Sequence, residues 1–74
     1  MTDDPKTPQE VWALIERADE RVKYASNRDS QAAYGQAREL LEQAAAAAKT
    51  IAGAEKLAEQ AKLRLDDLAK LESA

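Results

Sequence analysis

The sequence predicts an all-α protein, an antiparallel three-helix bundle, and three observations carry that reading. Apolar residues recur at three- and four-residue steps along most of the chain, the spacing that keeps side chains on one face of a helix. The tetrapeptide "TPQE" at Thr7 to Glu10 has the residue types of a helix start. Two short interruptions, "ASNRDSQ" at Ala25 to Gln31 and "TIAG" at Thr50 to Gly53, divide the periodic stretch into segments of ordinary helix length.

Each element follows from local chemistry. Residues 1–6 are polar, contain Pro5 and show no periodicity, and are expected to form a disordered tail ahead of a domain at 7–74. Thr7 is placed as N-cap, Pro8 stands at the first helical position, where a missing N–H costs nothing, and Glu10 can reach back to the cap. A first helix over about 8–25 carries Val11, Leu14, Ile15, Ala18, Val22 and Ala25 on one face. Trp12 falls on the flank of that stripe and Tyr24 on the far side.

The first interruption holds Ser26, Asn27 and Asp29, whose short side chains bond nearby backbone and compete with the helix. Asp29 or Ser30 can cap the next helix, and Arg28 suits the negative end of the one before. The second helix, over about 30–52, runs through Ala33, Ala37, Leu40, Ala44, Ala47, Ala48 and Ile51, with Tyr34, Leu41 and Ala45 widening its apolar face. A face that wide calls for two neighbours. Gly35 interrupts it at a cost of about 1 kcal/mol relative to alanine.

The third helix, over about 54–72, carries Leu57, Ala58, Ala61, Leu65, Leu68 and Ala69. Its polar side is dense with charge, and Glu59 with Lys62 and Asp66 with Lys70 stand at ion-pair spacing. An antiparallel arrangement then sets Trp12 against the alanine run Ala44 to Ala48, a large side chain against small ones.

An alternative joins the second and third helices into one rod within a dimeric helical hairpin. Such a rod would span roughly 44 residues and about 66 Å at the α-helical rise. The apolar series at 33, 37, 40, 44, 47, 51, 54, 58, 61, 65 and 68 crosses Gly53 without losing its heptad spacing. Against the rod, alanine fills most of those positions, which makes a thin seam, and Gly53 follows Lys49 as a helix-ending residue should. Thr50 offers a further cap. The turn is the favoured reading.

Composition narrows function. At 74 residues the chain makes one small domain whose core lies near the lower limit for independent folding. It has neither cysteine nor histidine, so disulfides, thiolate sites and imidazole chemistry are absent. Eleven basic residues against 14 acidic ones leave no basic stripe for nucleic acid. No membrane-spanning run and no basic leader is visible, and a cytoplasmic protein is expected. Membrane-surface binding through the first helix is weakened by Glu16, Asp19 and Glu20 among Arg17, Arg21 and Lys23.

There is no phosphate-cradling loop, and the adjacent carboxylates Asp66 and Asp67 have Lys62 and Lys70 near them, as solvated ion-pair partners do. The expectation is a protein without catalytic, cofactor or metal site. What remains is binding of a protein or peptide, or of a second copy. The candidate residues are Leu63, roughly 180° from the core stripe of the third helix, the displaced Leu71, and the flanking aromatics Trp12 and Tyr24.

"AAYGQARELLEQA", Ala32 to Ala44, resembles the Y-x-x-A-x-x-x-L pattern of helical-hairpin interaction modules, and "LDDLAKL", Leu65 to Leu71, is similar to the Ala-x-x-Leu ending of the third helix in MIT (microtubule interacting and trafficking) domains. Tetratricopeptide-like hairpins share the small-residue spacing. The resemblance implies an adaptor that binds short helical or extended peptides between its helices. The chain departs from MIT domains in a shorter connection between helices 2 and 3, and in Leu65 where an aromatic is frequent.

Overall fold

The computed structural model describes residues 5–25 and 30–73. Among these, three helices form: α1 (Pro8–Lys23), α2 (Ser30–Ala48) and α3 (Glu55–Ser73). The Thr7 hydroxyl accepts the Glu10 N–H at 3.2 Å and opens α1. Glu10 closes the cap through that hydroxyl, which donates to its carboxylate at 3.2 Å, rather than through the Thr7 backbone N–H. The helix ends at Lys23, two residues before the expected Ala25. The expected capping roles of Arg28 and Asp29 lie outside the described residues, as do residues 1–4 of the expected tail. Pro5, also assigned to that tail, is buried.

The chain turns between α2 and α3, and the continuous rod is not formed. α2 stops at Ala48 rather than at residue 52. The Thr50 N–H and hydroxyl both donate to the Ala47 carbonyl, at 3.1 and 3.0 Å, so Thr50 caps the end of α2. The Ala54 N–H then donates to the Ile51 carbonyl at 3.2 Å, closing a four-residue turn whose third residue is Gly53 with φ 86°. A turn with positive φ at that position needs glycine. Gly53 therefore acts inside this second turn and not as the residue directly after α2. Ala54 receives the Ala58 N–H at 3.0 Å and begins α3.

α2 is the central helix and packs along both α1 and α3, which touch one another sparsely. Arg38, midway along α2, pairs with Glu72 near the end of α3, as the antiparallel course of the two helices allows. The core takes Val11, Ile15 and Ala18 from α1, and Ala37, Leu41, Ala44 and Ala48 from α2. Ala61 and Leu68 of α3 complete it, with Ala54 just before that helix. Leu41 is thus central and Leu40 and Ala47 only half-buried, because α2 turns the side between its two neighbours inward. The principal extents are 38 × 26 × 15 Å, against the length of about 66 Å that a rod would have.

Alanine supplies more of this core than leucine does, which lets the helices approach closely but limits the apolar area each residue removes from water. Ile15, Leu41 and Val11 are the largest fully buried side chains. The fold rests on few large contacts, so the surface between α1 and α3 matters for its shape.

Candidate functional site

Trp12, Asp19 and Lys23 lie at i, i+7 and i+11 along α1, which puts them on one edge of the helix. On α3 the matching edge carries Gln60, Arg64, Asp67 and Leu71. Arg64 spans the space between. Its Nε donates to both carboxylate oxygens of Asp19, at 2.9 and 3.0 Å. Nη1 donates to the Gln60 side-chain oxygen at 2.8 Å and more weakly to the Gln60 carbonyl at 3.3 Å. The guanidinium carbon also stands 5.7 Å from the centre of the Trp12 ring, within reach of its electron-rich face.

Past this tie, toward the C-terminal ends of α1 and α3, the two helices leave a groove of about 370 Å³. Leu41 of the central helix lies at its base together with Ala18 and Leu68. Val22 and Leu71 form facing apolar walls, and Lys23 and Asp67 stand on opposite rims with opposite charge. Such a site offers shape, apolar surface and two orienting charges. It offers no nucleophile with a base beside it, and the described residues contain no group of His, Cys, Asp and Glu able to hold a metal ion.

The four candidate residues are all exposed, but they do not form one patch. Leu71, 46% exposed, lines the groove. Trp12 lies at the Arg64 tie, on the edge of α1 that reaches α3. Pro5 borders a hollow beside Ala46, Ala47 and Thr50, where the start of α1 meets the end of α2. Leu63 is 57% exposed, in keeping with its angle away from the core, and does not line the groove. Tyr24, 74% exposed, borders a separate hollow with Arg17, Glu20, Arg21 and Ala33. The Lys23 ammonium lies 5.5 Å from its ring centre.

Sequence reasoning missed Arg64, Val22 and Leu41 as parts of a site. One signal was present: Arg64 lies between Ala61 and Leu68 at the border of the apolar stripe, where a cation has to reach a partner across the helix interface. The expected pairs Glu59 with Lys62 and Asp66 with Lys70 are not among the ion pairs of the described residues, which join Arg38 to Glu72 and Arg64 to Asp19.

Fold and site together define a small all-α bundle with an open apolar groove between its first and third helices. Comparison with family models, curated proteins and solved structures gives no match to this chain.

Proposed function

We propose that this protein is a small interaction module that takes a short peptide or helix into the groove between α1 and α3, in a cytoplasmic setting and without catalysis. The observation that carries the reading is the gap between the C-terminal halves of α1 and α3: Leu41 at its base is buried, but the apolar walls at Val22 and Leu71 are partly exposed while charges of opposite sign sit on the two rims. An amphipathic helix fits such a groove by inserting apolar anchors at helical spacing. The resemblance of Ala32 to Ala44 and Leu65 to Leu71 to MIT-like and tetratricopeptide-like modules supports the same role.

The test is selection of binders from a random amphipathic-helix peptide library on the wild-type protein. Selected peptides should shift the backbone resonances of residues 18–23 and 64–71 and lose binding to Leu71→Asp, whose circular dichroism should match wild type. Binders that map to the Tyr24 side of α1, or that tolerate Leu71→Asp, would refute the groove assignment.

A further inference from the structure

We propose that two copies of this chain exchange α3 by opening the turn at Lys49 to Ala54, giving a dimer in which α2 and α3 of each copy form one continuous helix. This goes beyond peptide binding and does not depend on it. The partner is a second copy because the surface that receives α3 is the surface of α2 that already holds it, and no new interface has to be invented.

The argument starts from the turn. Its hydrogen bonds are local: the Thr50 N–H and hydroxyl bond to Ala47, and the Ala54 N–H to Ile51. Lys49, Thr50, Ala52 and Gly53 are exposed, while Ile51 packs against the core and Ala54 is buried, so opening the turn uncovers two apolar side chains, both of which fall on the apolar seam of a continuous helix. Gly53, at φ 86°, holds the one positive φ among the described residues. A short hinge that depends on one special backbone conformation is a known route to swapping.

The sequence then supplies the competing state. Residues 44, 47, 51, 54, 58 and 61 keep heptad spacing straight through the hinge, so a helix built across it continues the apolar seam without a slip. α3 is free to move as a unit, since its contacts lie chiefly on α2 and its described polar link to α1 is the Arg64 to Asp19 tie. In the exchanged dimer both are remade with the other copy. The balance between the two forms thus turns on the hinge and on concentration.

Gly53→Ala tests this directly. A Cβ at Gly53 meets nothing within 4 Å, so the substitution opposes the turn only through its positive φ, while alanine favours a continuous helix. Light-scattering mass and small-angle scattering should be measured on both proteins across concentration. The association constant of Gly53→Ala should exceed that of wild type by at least about tenfold, with a dimer at least about 66 Å long. Insertion of three glycines after Gly53, which a loop accepts and a continuous helix does not, should return either chain to monomer. The proposal fails if Gly53→Ala stays as monomeric as wild type or loses its helical signal. It fails equally if the dimer is compact, or if it survives the insertion.

Discussion

Arg64 on α3 donates its Nε proton to both carboxylate oxygens of Asp19 on α1, at 2.9 and 3.0 Å. It is the ion pair between these helices among the described residues, and it marks the place where the groove begins. Half of the Asp19 side chain is exposed, so solvent screens the pair. Asp19→Asn should therefore cost no more than about 1 kcal/mol in urea denaturation, and the difference should shrink in high salt. Arg64→Ala should cost more than Asp19→Asn, since it also removes the contacts with Gln60 and the Trp12 ring.

Core and surface leucines should separate cleanly. Ile15 is fully buried and Leu41 is 2% exposed, so Ile15→Ala or Leu41→Ala should destabilise by about 2–5 kcal/mol. A core built largely from alanine has few large side chains to compensate, and either change should lower the melting temperature sharply. Leu63→Ser, at a 57% exposed position, should leave thermal stability nearly unchanged.

The start of α1 depends on one hydroxyl. Thr7 accepts the Glu10 N–H and donates to the Glu10 carboxylate, so Thr7→Ala removes both bonds. The expected loss is about 1 kcal/mol by denaturant titration, with Thr7→Ser retaining most of the stability.

Gly35 offers the opposite outcome. It lies within α2, and a Cβ there meets nothing within 4 Å. Gly35→Ala should raise stability by about 0.5–1 kcal/mol through helix propensity alone. A loss in denaturant titration would mean that the position is more crowded than its surroundings indicate.

By itself the sequence determined the local events. Helical spacing gave three amphipathic segments, Thr7 and Pro8 gave the start of α1, and Gly53 gave a residue able to take φ 86°. These are legible because backbone conformation and periodicity depend on residues a few places apart. The end of α2 was less legible: no glycine or proline stands between Ala48 and Gly53 and the heptad series runs on through Ala54, so local preference and the observed turn point in different directions.

Tertiary structure decided everything that depends on which flank of one helix meets which flank of another. It centred Leu41 in place of Leu40, brought Arg64 over the Trp12 ring, and left α1 and α3 apart beside Val22 and Leu71. The physical reason is that helical angle places a side chain to within a broad sector, whereas packing against two neighbours selects among positions inside that sector. Arg64 and Asp19 are 45 residues apart in the chain, and only the arrangement of α1 and α3 around α2 brings them to hydrogen-bond distance.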